Sequence, residues 1–255
     1  MGTDGEIRDF VPLLKWLLVN CLALFGIVML FYFGLIQSML ATDPTHISLV
    51  IVGLFAVMLL NCLYHTVWVS RELVVARKVK ETIEAEGGGA NLSLVNGVVT
   101  RKNGQALEAG VLTNYIRNLF AKAHLMRSHG SVRGFDQTVL LRSLADGLKG
   151  REKLGLFVSE ALLRVALLGT AIGFILMLIP ISGLTTFEAD TLRTTLSGMT
   201  GGMAIALNVT VTGLAAALLL KFEFFLLDQA LADLFRVITE VTEVEVLPAL
   251  DRPNV

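Results

Sequence analysis

Charge and cysteine are both scarce in this chain. Only 17% of its 255 residues are Asp, Glu, Lys or Arg, and two are Cys. Two cysteines alone make neither a disulfide framework nor a four-ligand zinc site, and Cys21 and Cys62 both fall inside apolar runs. A formal net charge of −1 gives no general pull towards nucleic acid. Ser159 and Glu160 have no His nearby to complete a nucleophile and base, and Gly87-Gly88-Gly89 lacks the lysine and helix start of a phosphate loop. His124 and His129, five apart on a helix, do not point the same way, so they read as surface residues rather than zinc ligands. The sequence therefore predicts no enzyme, no catalytic residue, no metal and no cofactor.

What is abundant is apolar. Hydrophobic residues make up 54% of the chain, and the mean hydropathy is +0.70, well outside the range of a soluble domain. The apolar residues come in four long runs, each able to cross a hydrocarbon core of ~30 Å as a helix. The expected fold is an all-α integral membrane protein with four transmembrane helices, at 13–36, 47–69, 161–180 and 195–227, and long cytoplasmic helical extensions. Signal-peptide cores end after ~7–15 residues; the first run continues past that length, so it reads as an uncleaved anchor.

Charge placement sets the expected orientation. Fourteen of the 21 Lys and Arg lie in 71–160, none in the linker 37–46, and only Arg193 in the linker 181–194. By the positive-inside tendency 70–160 is cytoplasmic, as are the N-terminus (1–12) and the tail (228–255), while the two short linkers lie outside. The carboxylate-rich tail carries little topological weight. The second helix is expected to continue to Glu86, where the three glycines stop it. A loop with a hairpin follows over Ala90–Gly104, then a helix from about Ala106 to Ser128. Another helix begins near Phe135 and runs into the third span; the fourth continues to about Glu240, with Pro248 marking a stop. The short linker with Thr42, Asp43 and Pro44 makes the first two spans an antiparallel pair.

The last two spans contain Gly, Thr and Asn but, between Val165 and Ile179 and between Leu196 and Leu220, no Asp, Glu, Lys, Arg or His. At about 100° per residue, Met203, Ala206, Thr210, Gly213 and Ala217 share one face of the fourth helix, and Gly201, Ala204, Asn208, Thr212 and Ala215 another. Two faces without bulky chains call for protein neighbours on two sides. Small residues let helices approach closely, and Thr hydroxyls bond to their own backbone; the Asn208 amide is costlier in lipid and needs a partner or water. Proton and cation paths usually use a charged intramembrane group, so a carboxylate for such a path must come from another chain.

Two stretches carry a resemblance. Leu167-Leu168-Gly169-Thr170-Ala171-Ile172-Gly173 resembles the LLGTVxG stretch of the MotA/TolQ/ExbB family of ion-driven motor proteins, and Ala206 to Ala216 resembles that family's ALxxTxxGLxxA stretch. The likeness covers about residues 135–235. Four spans with cytoplasmic termini are similar to the flagellar stator branch, while the motif spelling leans to the ExbB/TolQ side. Leu163-Arg164 stands where that family often has a proline, so a pathway role tied to that proline does not carry over.

The resemblance implies a homopentamer in a bacterial inner membrane around two copies of a MotB- or ExbD-like single-span partner, whose intramembrane Asp binds and releases an ion. It implies pathway hydroxyls at Thr170 and Thr210, with Asn208 and Thr212 at the path or an interface, and close helix approach at Gly169, Gly173 and Gly213. Lys221, Glu223 and Asp228 are candidates for a cytoplasmic exit. Protons are expected rather than sodium, because Val209 precedes Thr210 where sodium-type relatives place a second Thr. Cytoplasmic charges such as Arg117, Arg127, Arg133, Arg142 and Arg151 would face a load or a solvated surface. The alternatives are a non-conducting membrane scaffold and a self-contained channel; nucleic acid is not an expected partner.

Overall fold

A computed structural model describes residues 11–34, 37, 46–95, 97–128, 137–183 and 188–250. Expectations placed on Thr42, Asp43, Pro44, His129, Arg133 and Phe135 lie outside these residues. The described chain is predominantly helical. Its elements are α1 (Val11–Tyr32), α2 (Ile47–Ala85), a 3-10 turn (Gly89–Asn91), strands β1 (Leu92–Val95) and β2 (Val98–Arg101), α3 (Val111–Ser128), α4 (Thr138–Ser182), α5 (Ala189–Val241), a π turn (Thr242–Val246) and α6 (Leu247–Leu250). Four of the helical stretches are long and apolar enough to cross a membrane: α1, α2, α4, and α5 with its continuation to Leu250. This is the arrangement of a multi-pass membrane protein.

The chain divides into two compact units, of which one holds residues 15–64 and 152–226. Its helices are apolar nearly all round, the signature of helices whose surroundings are not water. Leu18, Leu22 and Phe25 of α1, and Leu167, Leu168 and Leu218 of α4 and α5, stand exposed. Inside, Ile51, Cys62, Leu162, Val209, Leu220 and Phe224 are fully buried. Gly155 of α4 faces the ring of Phe224, which occupies the space a Cβ would need. Ala at that position would favour the isolated helix by ~1 kcal/mol; here the missing methyl admits an aromatic ring instead.

The other unit holds the described residues of 65–151 and 227–250, with the start of α1. Its core runs along one side of each helix: Leu73, Ala76, Val79 and Ile83 on α2, Leu112, Ile116 and Leu119 on α3, and Leu231, Leu234 and Ile238 on α5. Those spacings of three and four residues are what a helix with one packed face requires. Gly88, at φ 91°, donates its N–H to the Ile83 carbonyl at 2.9 Å and closes α2 with a left-handed cap. Gly89 then lies against the backbone of Glu245 and Val246, where no side chain fits. β1 and β2 pair antiparallel, Leu92 opposite Arg101 and Val95 opposite Val98.

Four boundaries differ from expectation. The first helix, expected over 13–36, runs Val11–Tyr32 and gives way to a turn at Phe33 and Gly34. The helix placed from Ala106 begins at Val111. Residues 106 and 107 instead extend the hairpin: Ala106 bridges to Thr100, and the Leu107 N–H donates to the Val99 carbonyl at 3.0 Å. Glu72 supplies the physical reason, its Oε2 accepting the Val111 N–H at 2.8 Å so that a carboxylate from α2 caps α3. The last long helix starts earlier than 195, at Ala189, with Asp190 in the first turn where the helix dipole favours it. Pro248 does not stop the chain, which stays helical to Leu250 through the π turn. The Leu247 N–H still donates to the Thr242 carbonyl, so Pro248 interrupts the ladder only by its own missing N–H, at the end of the helical run.

Candidate functional site

The last two spans meet along a seam of glycines facing small residues. Gly169 faces Val209, Gly173 faces Ala206, Gly202 faces Met177 and Gly213 faces Ala166. A Cβ added to Gly173 would stand 2.6 Å from the Ala206 Cβ and 2.7 Å from its Cα, so backbone as well as side chain fills the gap. Ile47 and Ile51 of α2 close the seam from a third side, 3.6 Å and 3.5 Å from the Cβ positions of Gly169 and Gly213. All three glycines assigned to close packing from sequence, Gly169, Gly173 and Gly213, lie in this seam.

Thr170 and Thr210 come together within it. Their hydroxyl oxygens are 2.5 Å apart, and each lies within hydrogen-bond distance of a carbonyl one turn back, Ala166 at 3.0 Å and Ala206 at 2.8 Å. Two hydroxyls own two hydrogens, yet there are three short contacts. At any instant one hydroxyl donates to the other while the second donates to its own carbonyl, or both turn to their carbonyls. The pair can therefore exchange donor and acceptor roles without moving a heavy atom, and it retains lone pairs for an outside donor. Both threonines are half-buried rather than sealed.

Asn208 and Thr212 are half-buried as well, on the other small face of α5. The Thr212 hydroxyl donates to the Asn208 carbonyl at 2.8 Å, while the Asn208 amide makes no hydrogen bond among the described residues. A Cβ on Gly201, at the head of the same face, would meet nothing within 4 Å. One small face of α5 thus packs on α4, and the other has half-buried polar groups and open space beside Gly201 among the described residues.

The three charged candidates do not cluster. Lys221 is exposed and Asp228 half-buried, whereas Glu223 is buried beside Trp16 and Asn20 of α1. Neither Glu223 Oε2 nor the Trp16 indole N–H has a hydrogen-bond partner among the described residues. A carboxyl turned onto α1 was not legible in the sequence, where Glu223 reads as one charge of an amphipathic exit. The signal was there in part: Glu223 is followed by Phe224, which is also buried, so the inward face of α5 passes through both positions.

In the unit of residues 65–151 and 227–250, the polar contacts hold helices to one another. Lys80 Nζ pairs with Glu240 Oε1 at 2.7 Å, and this ammonium keeps the Glu240 carboxyl below its ordinary range. The Tyr115 hydroxyl donates to Gln137 Oε1 at 3.2 Å, and Gln137 Nε2 donates to Glu243 Oε1 at 2.5 Å. Burial, with the Glu243 charge behind it, pushes the Tyr115 phenol up to about 12. No group of three or more His, Cys, Asp or Glu is gathered in one place among the described residues. No family model, curated protein or solved structure matches this chain.

Proposed function

We propose that the chain is a subunit of an ion-motive-force-driven complex in a bacterial inner membrane, crossing it four times with both termini cytoplasmic. Five copies surround two single-span partner chains, and an intramembrane Asp on the partner carries the ion. The observation that carries this reading is the Thr170–Thr210 hydroxyl pair at 2.5 Å, held in a glycine seam without a titratable side chain between Leu196 and Leu220. Such a pair can present a lone pair or a proton to a neighbouring acid but cannot itself hold an ion's charge. The open second face of α5 supports a neighbour of another chain.

The partner's carboxylate, placed in a low-dielectric interior, has its affinity for a proton raised. It takes the proton up from the outer side and gives it up on exposure to the cytoplasm. Each elementary charge crossing the field supplies ~2.3 kcal/mol per 100 mV, enough to bias rotation of ring against partner. The hydroxyl pair follows the acid's changes of state by swapping donor and acceptor. Protons rather than sodium suit a site where Val209 precedes Thr210.

Flux in sealed vesicles, with this chain and a single-span partner encoded beside it, tests the reading. Thr170→Val and Thr210→Val keep the side-chain shape and remove the hydroxyl; each is expected to cut partner-dependent proton flux at least tenfold, with the complex still assembled. Full flux in both variants ends their pathway role. Absence of flux with every partner combination would favour the scaffold alternative.

A further inference from the structure

Away from the hydroxyl pair, one cavity of about 370 Å³ has a composition that selects a ligand. It opens among the inner end of α2, α3 and the first half of α4, entirely within the unit of residues 65–151 and 227–250. Arg151 lies over the indole of Trp68, its guanidinium carbon 3.9 Å from the ring centroid. Asn114, Asn118 and Ser143 add amide and hydroxyl groups to the wall, and Leu144 is among the apolar residues that complete it. No Asp or Glu lines the cavity, and no carboxylate pairs with Arg151 among the described residues.

A guanidinium held flat on an aromatic face keeps its N–H edge available, and a planar fork of donors matches phosphate oxygens. Arg101 of the same unit pairs with the Glu86 carboxylate at 3.1 Å. Arg151 has a ring beneath it instead, and hydrogen-bonding side chains around the same space. We propose that this cavity binds a phosphate group, Arg151 supplying the charge and Asn114, Asn118 and Ser143 the neutral hydrogen bonds.

The phosphate has two sources, the headgroup of an anionic phospholipid or a soluble phosphate compound. The lipid source rests on the four-span reading, in which Trp68 falls at the inner end of the second span, the level of headgroups and of interfacial tryptophan. The phosphate chemistry itself does not depend on ion flow, so it stands or falls apart from the motor reading.

The test uses the full chain purified and stripped of lipid. Native mass spectrometry measures retention of phosphatidylglycerol and phosphatidylcholine, and a separate titration with inorganic phosphate or glycerol 3-phosphate follows Trp fluorescence. Arg151→Gln removes the charge and keeps a polar, hydrogen-bonding side chain; loss of one charge-assisted hydrogen-bonding group is expected to weaken binding about tenfold or more. Arg151→Lys should recover part of the affinity. Asn118→Leu, at an exposed helix position that tolerates the change, should weaken it independently.

Phosphatidylglycerol retention lost in Arg151→Gln, with no response to the soluble compounds, assigns a lipid site. A saturable response to the soluble compounds, lost in the same variant, assigns a metabolite site. If native helicity is retained and neither Arg151→Gln nor Asn118→Leu changes any of these bindings, or if the unmodified chain binds none of them, the proposal is overturned.

Discussion

Whether a glycine in a membrane helix serves packing between spans of one chain or contact between chains depends on what a methyl group would meet. Gly173 and Gly201 separate the two cases. A methyl on Gly173 meets Ala206 backbone and side chain 2.6–2.7 Å away, while one on Gly201 meets nothing. Gly173→Ala must therefore push α4 off α5, at a cost of roughly 1–3 kcal/mol for overpacking. Gly201→Ala has no such cost within the chain, and the better helix propensity of Ala favours it by up to ~1 kcal/mol. Thermal unfolding of the detergent-solubilised single chain checks both: a lowered midpoint is expected for Gly173→Ala and an unchanged or raised one for Gly201→Ala. Equal losses in the two would mean that the seam is not where the packing resides. In the assembled complex Gly201→Ala becomes informative in another way, because any loss of assembly by a variant stable as a single chain reports a neighbour on the open face.

The long helices depend on capping and continuity more than on local propensity, and α3 shows this most directly. Its first turn has no acidic residue of its own, and the orphan Val111 N–H is taken by Glu72 of α2 at 2.8 Å. Removal of such a cap costs about 1 kcal/mol, so Glu72→Ala should destabilise the unit containing α3 by about that amount. Hydrogen exchange should quicken in the first turn of α3 and leave its last turn unchanged. Uniform quickening along α3 would show that Glu72 holds the whole helix and not its end. The same contact explains why the start of α3 was misplaced in the sequence reading: apolar residues recur from Leu107, but what ends the hairpin and begins the helix is a carboxylate 39 positions away. Run length located α2, α4 and α5, each of which carries an apolar stretch long enough to cross a hydrocarbon core. The triple glycine was legible as a stop, since Gly87 and Gly88 take positive φ, whereas the fit of Gly89 against Glu245 depends on a tertiary approach that spacing does not encode. In the candidate site, Thr170, Thr210 and the seam glycines stood out as small or polar residues in apolar runs. The burial of Glu223 did not, because it comes from α1, four helices earlier in the chain.

For the whole molecule, the decisive question is what covers Asn208 and Thr212. Both are half-buried, and the Asn208 amide makes no hydrogen bond among the described residues, although an amide in hydrocarbon is costly unless it meets a partner or water. A ring of copies resolves the conflict by turning the face to a neighbouring subunit or an enclosed centre. Neither Cys21 nor Cys62 is in a disulfide, so a variant with Ala at both positions provides the background for a single-cysteine scan in native membranes. Asn208→Cys and Thr212→Cys should then cross-link between copies with a short bifunctional reagent and give a ladder that ends at five. Leu218→Cys, on a strongly exposed apolar position, should give no ladder, since the proposed arrangement turns it to acyl chains. Adding the single-span partner with its own cysteine near the intramembrane Asp should divert cross-links from the ladder to a subunit–partner product at Asn208 if the face looks into the centre, and leave the ladder intact if it looks sideways. A ladder from Leu218 and none from Asn208 or Thr212 would reverse the inside and outside of α5 and remove the ring on which the proposed ion coupling rests.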